Sequence, residues 1–177
     1  MRPFRADRHG GGVHARFEAG EAEVLRRFAA AAAERAERAG SDTRDGLPAD
    51  PALTRLLPDA YPDDPEASAE FRRFTAERLA ESKAQNARAV IDSLSGPAKE
   101  ARPDGAVEVR LDGAQAQAWL RALTDIRLAL AADLGIEHDG DEGDIHDLES
   151  ATRRAVYDWL AAVQEFLILA LPRASRR

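Results

Sequence analysis

A chain of 177 residues with 44 % hydrophobic and 32 % charged residues has enough apolar material for one ordinary folded domain, placed by its pattern at 1–172, and is not the composition of a disordered chain. It has no cysteine, which excludes disulfides, thiolate nucleophiles and cysteine zinc sites. The net charge of −7 resides in one segment, 137–149, which holds seven acids and no Lys or Arg; outside it 25 acids balance 25 bases, so the strongly basic surface of a typical nucleic-acid binder is not expected.

Near the N-terminus, Phe4 and Ala6, then Val13, Ala15 and Phe17, alternate with polar residues around Gly10, Gly11 and Gly12, which predicts a β-hairpin. The period turns helical from Glu18 to about Ala39, with Ala22, Leu25, Phe28, Ala29, Ala32 and Ala36 on one face and Gly40 placed to stop it. An exposed loop is expected over 41–49. Asp50 and Pro51 then open a short helix that Pro58 closes, and Asp64 and Pro65 open a long one reaching Leu94, with Phe71, Phe74, Leu79, Ala87, Val90, Ile91 and Leu94 as its apolar stripe and Gly96-Pro97 as its end.

Val107, Val109 and Leu111 alternate with charged residues and predict a strand over 107–112 that completes a three-stranded sheet with the hairpin. Asp112 and Gln115 have the spacing of a capping box, and the helix behind them carries Trp119, Leu120, Leu123, Ile126, Leu128, Leu130 and Leu134. A last helix is expected from about Asp147 to Leu171, ended by Pro172 and followed by a basic tail, 173–177. The fold class is therefore mainly α within α+β: about four main helices and one short helix beside a small three-stranded antiparallel sheet. No run reaches the roughly 18 apolar residues of a spanning helix, and no signal-type stretch follows the N-terminal arginines, so the expected location is the cytoplasm, off the membrane.

Several constellations could carry chemistry, and each has a plainer reading. The acidic loop, with Glu137, Asp139, Asp141, Glu142 and Asp144 beside His138 and His146, could hold a cation, but Gly143 and Asp144 stand in the wrong places for a calcium loop. A solvated loop that attracts a basic partner is the better reading. Asp63, Asp64, Glu66 and Glu70 could do acid and base work as paired carboxylates, but they cluster where a helix N-terminus favours acids without any function. Asp125 and Arg127 sit in the very apolar helix of Trp119, where charges need partners; Arg55, Tyr61, Glu70 and Arg72 are candidates for a structural polar network. No nucleophile elbow, phosphate loop or zinc helix occurs, so neither an enzyme nor a cofactor is expected. The run WLAAVQEFLILAL (159–171) is apolar nearly all round, reading as core first and as a homodimer seam second.

The blocks DPALTRLLPDAYPDDPEASAEFRRFT, VEVRLDGAQAQAWLRALTDIRLALAADLGI and VYDWLAAVQEFLILAL, in this order, resemble the actinobacterial domain-of-unknown-function family numbered two thousand and seventeen. With the hairpin and first helix, the resemblance covers most of the chain. It brings no catalytic residues. Genes of the family often lie near that of the Clp protease adaptor, and one branch is an oxidative-stress transcription regulator that senses oxidants through a cysteine pair and acts with a sigma factor. A chain without cysteine cannot sense in that way, so the resemblance implies protein interaction: a non-enzymatic regulator or adaptor, with a sigma factor, RNA polymerase or the Clp machinery as partner. A winged-helix-like DNA-binding regulator is the alternative, and a metal- or small-molecule-binding protein the second.

Overall fold

Local capping decides where most of the helices begin. In the computed structural model, which describes residues 1–7, 11–42, 50–61, 63–95 and 105–171, the chain order is β1 (Arg2–Ala6), β2 (Val13–Phe17), α1 (Ala19–Asp42), α2 (Pro51–Leu56), α3 (Pro65–Leu94), β3 (Val107–Leu111), α4 (Gly113–Asp133) and α5 (Leu148–Ala170). Asp50, Asp64, Asp112 and Asp147 each accept a backbone N–H from the first turn of α2, α3, α4 and α5. Asp112 and Gln115 form the reciprocal capping box expected of them. Of the expected loop 41–49, residues 43–49 lie outside the described residues, as do the stop at Gly96-Pro97 and the tail 173–177. α1 continues through Ser41 and Asp42 instead of ending at Ala39, since a glycine permits a helix to stop without forcing it.

The sheet is antiparallel, with β2 between β1 and β3. Val13 pairs with Leu111, Ala15 with Val109 and Phe17 with Val107, so the buried side chains of β2 and β3 share one face. In the hairpin, Gly11 takes φ +67°, and Gly12 lies so close to the carbonyl of Leu111 that an added Cβ would sit 2.6 Å from it. Behind the sheet, Phe4, Phe17 and Trp119 form a mutual ring cluster with centroids 5.5–5.9 Å apart. The buried Trp119 indole donates to Ser93 Oγ at 2.9 Å, which satisfies its only polar atom and ties α4 to α3.

α1 packs along α3 on rows of alanine, among them Ala29 and Ala36 of α1 and Ala80, Ala84 and Ala87 of α3. These small buried residues define the true inner face of α3. Phe71, Phe74 and Leu79 are 41, 77 and 45 % exposed, so the stripe expected from them is not core. On a 100° step, Phe71 and Phe74 fall on the opposite side of the helix from Ala76 and Ala80, and the alanines win the contact because they allow α1 a closer approach. Among the described residues, no helix is long and apolar enough to cross a membrane.

Candidate interaction site

The acidic segment is a folded connection between α4 and α5. α4 ends in a left-handed glycine, Gly135 at φ +66°, with Ile136 N–H donating to Ala131 O at 2.8 Å and the Ile136 side chain buried on Leu134. Asp144 N–H returns to Leu134 O at 2.7 Å. At Gly143, φ +72°, an added Cβ would come within 2.7 Å of Leu134 O, so the return passes too close to α4 for any side chain. Asp141 accepts from the N–H groups of Gly143 and Glu137, and these bonds hold its carboxyl below the ordinary Asp value.

One residue of α5 closes the arrangement. Arg154 donates from Nη1 to the carbonyls of Asp141 and Glu142, from Nε to Asp158, and lies over the ring of Tyr157. At the start of α5, Asp147 accepts from Ser150 N–H at 2.7 Å, which lowers its carboxyl as well. Glu137, Asp139, Glu142 and Asp144 remain exposed. Two acids of the segment thus shape it, Glu149 pairs with Arg153, and the other four are left exposed on the surface. Among the described residues, no three His, Asp or Glu side chains converge on a metal position.

The other residues singled out from the sequence do not form one network. Asp125 is buried and pairs with Lys83 of α3 at 2.7 Å; burial raises its carboxyl above the ordinary Asp value, and Lys83 pulls it partly back. Arg127 points to the other flank of α4, where it donates to Gln164 at 2.9 Å and lies 4.9 Å over the Tyr157 ring, while its buried Nε has no hydrogen-bond partner among the described residues. Gln164 in turn donates to Thr124, tying α5 to α4. The partners expected from the sequence sit elsewhere, at the α2–α3 corner. There Arg72 pairs with Asp59, Tyr61 stands edge-on to Phe71 with centroids 6.0 Å apart, Asp64 caps α3, Asp63 and Glu70 are exposed, and Arg55 lies in the last turn of α2. Trp119 belongs to the core. The sequence does not assign a role to Lys83, Gln164 or Arg154; of these, only the Arg154–Asp158 pair, four residues apart on one helix, leaves a local signal.

The fold also gathers basic residues that the sequence scatters. Arg2, Arg5, His14, Arg16 and Arg110 project from the outer face of the sheet, with Glu108 bonded to Arg110 among them.

The family model for a domain of unknown function (DUF2017) matches residues 1–171. The chain belongs to this family. Over 137 residues it is 33 % identical to a protein named oxidative stress regulator AosR from Mycobacterium tuberculosis, and 32 % identical to one named putative oxidative stress regulator AosR from Mycobacterium leprae. Each match takes in 70 % of this chain and 59 % of the relative, so the chain spans little more than half of the curated relatives it matches. No solved structure matches it.

Proposed function

We propose that this member of the family is a non-enzymatic regulatory or adaptor protein of the stress response that acts in the cytoplasm by binding another protein. The names of its relatives support the regulatory setting and point away from an enzyme. The observation that carries the binding reading is the acidic connection: exposed carboxylates on a segment whose backbone Arg154 holds at Asp141 and Glu142, with seven acids in all on a body whose charges otherwise balance. Such a cluster attracts a basic surface and orients the encounter.

The test is affinity capture with mass spectrometry, comparing the intact protein with a variant carrying Glu137→Gln, Asp139→Asn, Glu142→Gln and Asp144→Asn. Asp141 and Asp147 stay, because they shape the segment. A sigma factor, polymerase subunit or Clp component recovered only with the intact protein, and released by raised salt, is the expected result. Identical recovery with both proteins refutes the contact, and recovery of the bait alone refutes the reading.

A second reading, direct DNA binding, is favoured by the arginines on the outer face of the sheet. It requires a mobility shift that weakens steeply with salt and is lost in Arg2→Ala/Arg5→Ala.

A further inference from the structure

The tip of the acidic connection is a four-residue turn with Asp139 and Gly140 at its centre. Asp141 N–H donates to His138 O at 3.2 Å, and Gly140 takes φ +83°, the left-handed angle that the third position of a type II turn requires. Both central residues are exposed. Among the described residues, the peptide group between them makes no hydrogen bond, and the Asp139 carboxylate has neither a hydrogen bond nor an ion pair. The space around Gly140 is open, since a Cβ added there would meet nothing within 4 Å.

The chain holds an aspartyl carboxyl carbon and the next amide nitrogen within reach of a five-membered ring, an intramolecular attack that needs no bound reactant. Glycine as the second residue leaves the nitrogen uncrowded and the backbone free to turn toward it. We infer that Asp139 is a site of slow covalent self-modification, passing through a cyclic imide with Gly140 to isoaspartate. The Gly140 nitrogen attacks Cγ of the protonated carboxyl: the N–Cγ bond forms, the Cγ–OH bond breaks, and the amide proton leaves with the hydroxyl as water. Water then reopens the ring. Opening at Cγ restores aspartate, whereas opening at the main-chain carbonyl carbon leaves the chain running through the side chain. The mass is unchanged, and neither oxidant nor reductant takes part.

The fold selects which Asp-Gly step reacts. Asp112-Gly113 is the other one that lies wholly within the described residues. There the Asp112 carboxylate accepts from Gln115 N–H at 2.8 Å, and the carbonyl of the same peptide accepts from Ala116 N–H at 2.9 Å. The group to be attacked and the peptide that must rotate are both fastened, and at Asp139-Gly140 neither is. The product changes the segment, because isoaspartate adds one carbon to the backbone inside the turn. That carbon falls within the ring closed by Asp141 N–H on His138 O, and within the wider one closed by Glu137 N–H on Asp141 Oδ2 at 3.1 Å, and both bonds open. This goes beyond the protein-binding reading and does not depend on it, since it is read on the protein alone.

The experiment incubates the intact folded protein at neutral pH and body temperature, digests samples over time, and separates the peptides by chromatography, where an isoaspartyl form elutes apart from its aspartyl twin of equal mass. Methyl transfer by an isoaspartate methyltransferase marks the peptide that carries the product. The peptide around Asp139 should gain isoaspartate at least about tenfold faster than the one around Asp112. In protein unfolded by urea the two rates should converge, because the cap at Asp112 is then gone. Asp139→Glu, whose carboxyl would have to close a six-membered ring, should abolish the product at this position. In the aged protein a second population of the Glu137 amide should appear that exchanges about tenfold faster, while the Ser150 amide keeps its rate. No isoaspartate at 139, or equal rates at 139 and 112 in the folded protein, overturns the inference. Isoaspartate at 139 that leaves the Glu137 amide unchanged overturns its effect on the segment.

Discussion

Replacing Lys83 with methionine isolates what its ion pair with Asp125 contributes. Asp125 is 8 % exposed, the Lys83 side chain 22 %, and Nζ lies 2.7 Å from Oδ1. Methionine keeps most of the apolar stem and removes the charge, leaving a buried carboxylate without its counter-ion. Removing one partner of a buried pair costs about 3–5 kcal/mol. Lys83 lies at the edge of the surface groove lined by Leu79, Leu120 and Thr124. Water can therefore reach the vacated position, and about 2–3 kcal/mol is expected, or roughly 4–12 °C in Tm for a chain of this size. The pH dependence carries a sign. Burial raises the Asp125 carboxyl, so the folded state holds this proton more tightly than the unfolded state, and stability falls as pH rises from about 4 through the folded value. Without Lys83 that value climbs further, so the deficit of Lys83→Met relative to the parent should be smallest near pH 4 and widen toward neutrality. Urea unfolding followed by circular dichroism at pH 4.5 and 7 measures it. A deficit below about 0.5 kcal/mol at pH 7, or one that widens on acidification, would refute the reasoning.

Trp119→Phe keeps a ring against Phe4 and Phe17 but loses the bond to Ser93, at a cost of about 1–3 kcal/mol; Trp119→Ala should cost about 3–5 kcal/mol, both read from urea midpoints at constant m. Asp112→Ala removes the carboxylate that accepts from Gln115 N–H, while the backbone N–H at 112 can still donate to Gln115 Oε1, and should lower stability by about 1 kcal/mol, seen as a Tm drop of roughly 2–4 °C. Phe74→Ser, at a 77 % exposed position, should leave stability within about 0.5 kcal/mol of the parent, and a loss above 2 kcal/mol would mean that this side of α3 is covered after all. Arg154→Ala should speed hydrogen exchange at the Asp144 amide by about tenfold or more, and Arg154→Lys should not restore it, because two carbonyls and Asp158 need the forked guanidinium.

What was legible in the sequence is what chemistry fixes within a few residues. Asp50-Pro51, Asp64-Pro65 and the Asp112/Gln115 pair are complete signals for a helix start, and the alternation at 107–111 leaves little choice but a strand. What was not legible depends on residues far apart. Asp125 finds Lys83 42 positions away, and Arg127 finds Gln164 37 positions away, distances at which spacing carries no information. The stripe of α3 misled because phenylalanine is more hydrophobic than alanine, whereas the contact with α1 rewards closeness. α5 has more apolar residues than one face can bury, so its composition could not tell core from seam. The arginines of the sheet face come from three strands and converge only when these pair.

The junction of Phe4, Phe17 and Trp119 also orders events in time. During synthesis the hairpin leaves the ribosome about ninety residues ahead of β3, the strand that completes its sheet, and further still ahead of the tryptophan that covers it. At about 5–20 residues per second, the two N-terminal strands wait roughly 5–20 s with Phe4, Val13 and Phe17 uncovered and one strand edge unpaired. The hairpin is thus made well before the elements that enclose it, and its apolar face waits for partners that lie about a hundred residues further along the chain.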